Sequence, residues 1–194
     1  MSVDSTTRPR PVPDRPGDST HADAPGHFPV AAFADVLAAN AEYAASFHGL
    51  GLGGRAARGL AVITCMDSRI DPLRIVGMAP GDVKILRNAG ARVTEDVLRT
   101  LVLATYLLEV TRVLVVPHTR CKMVGTAEED IHALIAEKFG VDTYSMEFRT
   151  VEDEVAALRR DLQRIRSFPL LPRDLAVGGA VYDVDTGELR PIDA

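Results

Sequence analysis

Apolar residues change their spacing along this chain, and the changes predict where helices and strands lie. From residue 30 to residue 47 they recur every three or four positions, which is typical of an amphipathic helix that ends near Gly49. Short apolar runs, the first of them rich in β-branched residues and typical of a strand covered on both faces, predict three strands: LAVITCM (60–66), DVKILRN (82–88) and RVLVVPHT (112–119).

Three further helices and a last strand follow from caps and turns. Thr94 can cap a helix that contains residues 97–110, and this stretch is apolar nearly all round, so we expect it to be deeply buried. Two pairs resemble capping boxes at the starts of later helices: Thr126 with Glu129 and Thr150 with Asp153. Residues 174–189 predict a strand that turns at Asp185-Thr186-Gly187 into a short hairpin.

Strands that alternate with helices predict an α/β fold around a mainly parallel sheet flanked by helices. In such sheets, functional sites form at the carboxyl ends of the strands. The first 29 residues differ, because they hold six of the twelve prolines among polar residues and cannot bury enough apolar surface to order themselves. We predict a disordered, proline-rich tail at 1–29 and a single α/β domain at 30–194.

Composition narrows the possible partners. The net charge of −5 leaves no basic cluster to neutralise phosphates, so we expect no nucleic-acid partner. No apolar run reaches the length of a membrane span, and the N-terminus has no charged-then-apolar export signal. A cytoplasmic location is therefore expected, where the two cysteines would not form a structural disulfide.

The two cysteines and one histidine fall at predicted strand ends. His118 and Cys121 are three residues apart and can bind one ion, and Cys65 can reach it from a neighbouring strand. Two thiolates and an imidazole suit tetrahedral zinc. The chain has no third cysteine to close the set, so the fourth position is predicted to stay open to water, which zinc converts to hydroxide near neutral pH.

Asp67 and Arg69 follow Cys65 at intervals of two residues. If the chain is extended there, Cys65 and Asp67 project on the same side, and the carboxylate could occupy the fourth metal position. Arg69 can hold that carboxylate in a bidentate pair, which leaves Asp67 to accept a hydrogen bond from metal-bound hydroxide. A plain structural ion pair is the alternative interpretation.

Four blocks of sequence, in this order and spacing, resemble the β-class carbonic anhydrases: CMDSR, RNAGARVTEDVLRTL, HTRC and VGGAVYDVDTGEL. The resemblance covers residues 30–190, and the short length is most similar to the smaller bacterial and archaeal subgroup. It implies a central, mainly parallel four-stranded sheet, one Zn²⁺ per chain on Cys65, His118 and Cys121, and an Asp67–Arg69 dyad. It also implies subunits paired as homodimers or higher homo-oligomers, and reversible hydration of carbon dioxide to bicarbonate and a proton by zinc-bound hydroxide.

Three positions depart from the family pattern: Pro117, Arg120 and Lys122. The two cations favour a thiolate at Cys121, and they could either attract an anion such as bicarbonate or narrow the pocket. Two other functions stay open for this reason. One is hydrolysis of carbonyl sulfide or carbon disulfide on the same scaffold, and the other is a zinc-binding regulatory protein without turnover.

Other polar residues have simpler interpretations. Asn88 and Gly90 are expected to shape the backbone rather than take part in chemistry. The histidines outside the metal set are expected to be solvated or structural: His21, His27, His48 and His132.

Overall fold

The computed structural model describes residues 28–193, and the chain divides into two compact units between Gly51 and Leu52. The predicted tail lies outside the described residues except for its last two positions. The tail and the domain boundary after residue 29 therefore stay predictions. Between residues 28 and 193, no helix has both the length and the apolarity needed to cross a bilayer.

The first unit contains the predicted N-terminal helix. A single 3₁₀ turn at Val30–Phe33 leads into helix α1, Ala34–Ala45. The apolar side chains of this helix are exposed, with Val36 at 56% and Leu37 at 44%. An ordered helix with an exposed apolar stripe is typical of a segment that packs against another surface.

The second unit is built on a five-stranded sheet. The strands are β1 (Leu60–Cys65), β2 (Val83–Asn88), β3 (Arg112–Val116), β4 (Ala176–Tyr182) and β5 (Leu189–Pro191). Their order in the sheet is β2-β1-β3-β4-β5. The first four strands in this order are parallel, and β5 is antiparallel to β4. The predicted parallel strands and terminal hairpin are present, but the predicted count of four was wrong because the hairpin returns its second arm to the sheet edge.

Helices cover the sheet unequally. Alternate strand residues such as Ala61 and Ile63 form the main core with helices α3 (Glu95–Leu107) and α5 (Glu154–Arg166). Leu60 and Val62 face the short helix α2 (Pro72–Ile75). Gly179 in β4 allows α5 to approach, because a Cβ there would lie 2.8 Å from a methyl carbon of Leu162. Helix α4 (Glu128–Phe139) lies between α3 and α5 in the chain.

Helix α3 was predicted to be deeply buried, and this was wrong for half of its surface. One face enters the core through Val97, Leu98, Leu101 and Ala104. The opposite face is exposed at Leu103 (45%), Tyr106 (63%) and Leu107 (66%). A sheet can cover only one side of a helix packed on it, so apolar character all round does not by itself give burial.

The predicted helix caps had mixed outcomes. Thr94 caps α3 by accepting a hydrogen bond from the backbone N–H of Val97 (3.4 Å). The Thr126 capping box was wrong, because α4 begins after Ala127 without a side-chain cap. The Thr150 box was also wrong, because Asp153 is itself the cap of α5 and accepts from two backbone N–H groups.

Candidate metal centre

Cys65, His118 and Cys121 lie together beyond the carboxyl ends of β1 and β3. Their ligand atoms are all within 4.8 Å of one another, and the two sulfurs are 4.0 Å apart. All three side chains are buried, with His118 wholly inaccessible to solvent. The parallel pairing of β1 with β3 explains the meeting, since it brings both strand ends to the same edge of the sheet.

The loop that carries His118 and Cys121 is held by β4. The backbone N–H of Thr119 donates to the carbonyl of Tyr182, and the N–H of Tyr182 donates to the carbonyl of Pro117, both at 2.9 Å. The Thr119 hydroxyl accepts from the N–H of Val184. These bonds hold the residues before and after His118, so the loop is fixed on both sides of the histidine.

The orientation of the His118 ring leaves one nitrogen for a metal. Nδ1 lies 2.9 Å from the carbonyl oxygen of Thr119 and must donate to it, which leaves a lone pair on Nε2. Nε2 is buried and has no hydrogen-bond partner among the described residues. A buried polar atom without a partner is unfavourable, and a metal ion bound to Nε2 would satisfy it.

The paired thiols make the site rich in negative charge. A hydrogen bond from the Cys121 thiol lowers the pKa of Cys65 against the opposing effect of burial, so Cys65 holds the thiolate. The same contact, together with burial, raises the pKa of Cys121. Burial alone would lower the pKa of His118, but the interaction with the negatively charged Cys65 sulfur nearby raises it overall. A bound metal cation would displace the proton shared by the two sulfurs and neutralise their negative charge.

Asp67 and Arg69 form the predicted bidentate pair. The Asp67 oxygens accept hydrogen bonds from Nε (2.9 Å) and Nη2 (2.8 Å) of Arg69, and the Arg69 backbone N–H adds a third. The side-chain hydrogen bond from Arg69 is the main reason that the pKa of Asp67 lies well below its usual range. Oδ2 of Asp67 is 3.8 Å from Nε2 of His118, so the carboxylate lies beside the candidate metal ligands while it is bonded to Arg69.

The structure also assigns contacts to the predicted backbone-shaping residues. Asn88 accepts from the N–H of Arg92 and donates to its carbonyl, which closes the turn after β2. Gly90 has a φ of 77° and lies against Met123, and its N–H donates to the Cys65 sulfur at 3.4 Å. Both residues shape the backbone as expected, and Gly90 also supplies a hydrogen bond to a ligand sulfur.

Arg87 was missed by sequence reasoning. Its Nε donates to the carbonyl of Cys65 (2.9 Å) and its Nη2 to the carbonyl of Asp67 (2.6 Å). These bonds hold both sides of Met66 against β2 and keep Cys65 and Asp67 in one orientation. No local pattern signals this contact, because it depends on β2 lying beside β1.

The departures from the family pattern have defined surroundings. The guanidinium of Arg120 forms an ion pair with Asp185 in the β4–β5 turn, and its backbone carbonyl accepts a long hydrogen bond from Arg69. Lys122 is exposed. The Arg120 charge is therefore engaged by the hairpin.

The histidines outside the metal set differ from one another. His132 is buried at 6% exposure, bonded through Nδ1 to the Thr143 hydroxyl (2.8 Å) and stacked on Tyr144. The structural interpretation of His132 is therefore confirmed, and a solvated one is wrong. His48 is exposed, and the two tail histidines lie outside the described residues.

The donor set fits zinc. Two sulfurs and one imidazole nitrogen are the ligands that tetrahedral zinc prefers, and three protein ligands leave a fourth position for a water or substrate molecule. No other group of three or more potential ligands within residues 28–193 is close enough to hold a metal. Asp67 is outside the set in this conformation.

Comparisons with known proteins agree with this geometry. The family model for carbonic anhydrase matches residues 60–141. The β-carbonic anhydrase 1 of Mycobacterium tuberculosis (strain ATCC 25618 / H37Rv) is 34% identical over 159 residues, which are 81% of this chain and 96% of that protein. A carbon disulfide hydrolase of Acidianus sp. (strain A1-3) is 30% identical and matches over 69% of this chain and 76% of its own length.

A solved structure leads to the same family. The crystal structure of the carbonic anhydrase from Streptococcus mutans has a TM-score of 0.78 to this chain at 34% identity. The match covers 83% of this chain and 97% of that protein. With these likenesses added to the Cys65, His118 and Cys121 cluster, the chain belongs to the β-carbonic anhydrase family.

Proposed function

We propose that this protein is a zinc-dependent carbonic anhydrase that interconverts carbon dioxide and bicarbonate. The observation that carries the proposal is the buried group of three donors, with an unpartnered nitrogen on His118 and a carboxylate 3.8 Å from it. Relatives named as carbonic anhydrases, matched over nearly their whole length, support the same activity.

In this proposal Cys65, His118 and Cys121 hold one zinc ion. When bound, zinc acts as a Lewis acid that makes water a nucleophile near neutral pH. Oδ1 of Asp67 accepts two hydrogen bonds from Arg69, but Oδ2 accepts only one and keeps a free lone pair, so Oδ2 can accept a hydrogen bond from the attacking water and orient it. Arg69 bonds to both oxygens of Asp67 and so keeps the carboxylate from taking the fourth metal position itself, and Arg87 fixes the backbone of both Cys65 and Asp67.

Metal analysis and stopped-flow carbon dioxide hydration on one preparation test this function. We expect one zinc per chain and rapid hydration. Cys65→Ser should lose zinc and at least about 100-fold in hydration rate, since a ligand is removed. The control is Met66→Leu, whose side chain is 67% exposed beside the same strand end. Zinc without hydration at any pH would instead support the regulatory protein without turnover.

Hydrolysis of carbon disulfide or carbonyl sulfide is the second candidate. It is favoured by the relatives named as carbon disulfide hydrolases, which are 27–30% identical to this chain. Those substrates are linear electrophiles like carbon dioxide and suit the same nucleophile. Measuring sulfide release and hydration in the same sample separates the two activities, and faster release of sulfide would overturn the first candidate.

We also propose that two or more copies of the chain associate. Two apolar surfaces support this: the exposed stripe on α1 and the exposed face of α3 at Leu103, Tyr106 and Leu107. Analytical ultracentrifugation should give at least twice the chain mass of 20.9 kDa. Leu107→Lys should weaken the association, while a monomer at all concentrations would contradict it.

We propose a cytoplasmic location, and the same ligands support it. Cys65 and Cys121 lie close together as free thiols, and a reducing compartment keeps such thiols available for metal binding. Fractionation of cells that express the tagged protein tests this. Recovery in an oxidising compartment would contradict it.

A further inference from the structure

The first residue of α5, Glu154, has a buried carboxyl oxygen that the proposed reaction does not use. Its Oε1 is closed off from solvent and has no hydrogen-bond partner among the described residues. Glu154 is not the helix cap, because the neighbouring Asp153 accepts from the free backbone N–H groups of α5. A buried carboxyl oxygen in this condition calls for an explanation, and a bound water or ion is the usual one.

Glu154 lines a small cavity that also contains a metal ligand. The walls include Cys121, Gly90 and the apolar side chains of Val115, Val124 and Leu158. About 20 Å³ of the cavity is open to the centre of a water-sized molecule. One water needs roughly 10–15 Å³ on this measure and at least two polar partners, so the space fits a single water.

Glu154 places a buried acid in the same cavity as the candidate ligand Cys121. Burial raises the pKa of Glu154, and the nearby charge of His118 opposes this rise. The carboxyl group of Glu154 and the side chain of Cys121 line the same small cavity, so a molecule inside it has both within its walls.

We propose that this cavity is a binding site for one ordered water molecule, which donates one hydrogen bond to Glu154 Oε1 and the other to the Cys121 sulfur. Water has two donors. The Glu154 carboxylate accepts one of them, and the Cys121 sulfur, which is a thiolate when zinc is bound, accepts the other. Glu154 is then a positioning residue that acts on a metal ligand through this water. The inference rests on the zinc site and not on the identity of the substrate.

The expected consequence is a change in zinc affinity. Residues that orient a metal ligand from behind contribute about 10-fold to 100-fold to metal affinity or activity. Glu154→Leu removes the acceptor and leaves an apolar wall that cannot hold the water, so zinc affinity should fall by at least about 10-fold. Glu154→Gln keeps a carbonyl oxygen that accepts from the water, so its affinity should stay within about 3-fold of the wild-type value.

The experiment uses the full chain and three variants. Zinc affinity is measured by competition with a chelator, and the thiolate-to-cobalt absorption band of the cobalt-substituted protein reports the charge on the sulfurs. High-resolution crystal structures of the wild type and both Glu154 variants locate water in the cavity. The matched control is Glu152→Leu, which removes an exposed acid two residues away that does not line this cavity.

The proposal predicts a water within hydrogen-bond distance of Glu154 and Cys121 in the wild type and in Glu154→Gln. It also predicts a shifted absorption band and weaker zinc binding in Glu154→Leu alone. A wild-type cavity without this water, or a Glu154→Leu variant with the zinc affinity of Glu152→Leu, would overturn it. If Glu154→Leu does not fold, the water positions in the other two proteins decide. Failure of the carbon dioxide assay with these results intact would count against the proposed function only.

Discussion

Two arginine–carboxylate pairs in this protein have nearly the same geometry and opposite surroundings. Asp67 and Arg69 are two residues apart, and their side chains are 22% and 43% exposed. Arg92 and Asp161 are 69 residues apart, and their side chains are 17% and 7% exposed. Both pairs are bidentate, with shortest contacts of 2.8 Å and 2.7 Å.

The difference in burial indicates different roles for the two ion pairs. The Arg92–Asp161 pair joins the turn after β2 to α5, and neither charge can leave its partner without remaining buried alone. The Asp67–Arg69 pair is reached by solvent and lies beside the metal ligands, so Asp67 can exchange partners at low cost. We therefore expect the Arg92–Asp161 pair to affect folding stability and the Asp67–Arg69 pair to affect catalysis.

The largest expected effect is on activity at Asp67. Asp67→Asn should keep zinc but lose about 100-fold to 1,000-fold in carbon dioxide hydration, because the charged acceptor that orients the attacking water is removed. Stopped-flow hydration and zinc content are measured on the same sample. The control Asp185→Asn neutralises another carboxylate paired with an arginine near the centre and should stay within about 2-fold, as expected for a weak surface pair. Full activity in Asp67→Asn would contradict the assigned role.

The next effect is on stability at Asp161. Asp161→Ala leaves the Arg92 guanidinium without its buried partner and should lower the free energy of unfolding by about 3 kcal/mol. Urea unfolding of the metal-free protein measures this change. Asp96→Ala breaks an exposed pair with Arg99 on α3 and should cost less than about 1 kcal/mol. A small change in Asp161→Ala, or a specific loss of activity in its folded fraction, would remove the contrast between the two pairs.

Arg87 should have an intermediate effect on activity. Gln cannot reproduce two hydrogen bonds to separate carbonyls, so Arg87→Gln should lower hydration by about 10-fold while zinc is retained. The matched control is Arg112→Gln, since Arg112 also donates twice to the backbone but at the carbonyl of Arg58, away from the metal centre. Equal losses in the two variants would mean that Arg87 has only a general structural role.

The smallest effect is the acid dependence of the Asp67–Arg69 pair. Because Arg69 holds the pKa of Asp67 below its ordinary value of 3.8, the pair stabilises the folded state above that pH. The stabilisation is lost as the pH falls through the lower, folded-state value. The free energy of unfolding of metal-free wild type should therefore fall more steeply below pH 3.8 than that of Asp67→Asn. Urea unfolding at several pH values tests this, and parallel curves would contradict it.

The sequence by itself determined the local features. Cys65, Asp67 and Arg69 are within one short segment, so the sequence could predict that Arg69 pairs with Asp67. The extended backbone assumed for this segment was wrong beyond Asp67, because the chain turns there and the N–H of Ile70 donates to the Asp67 carbonyl. The apolar runs predicted the four parallel strands, and parallel strands bring their carboxyl ends together, which predicted that Cys65 would meet His118 and Cys121. These predictions depend only on near neighbours and on a general property of parallel sheets.

Only the tertiary structure decided the remaining contacts. Arg87 reaches Cys65 because β2 lies beside β1, and Arg92 reaches Asp161 because α5 packs near the turn after β2. The exposed face of α3 and the buried oxygen of Glu154 depend likewise on which element covers each surface. Residue type and spacing describe what a side chain can do, but burial and long-range partners arise only when distant segments pack together.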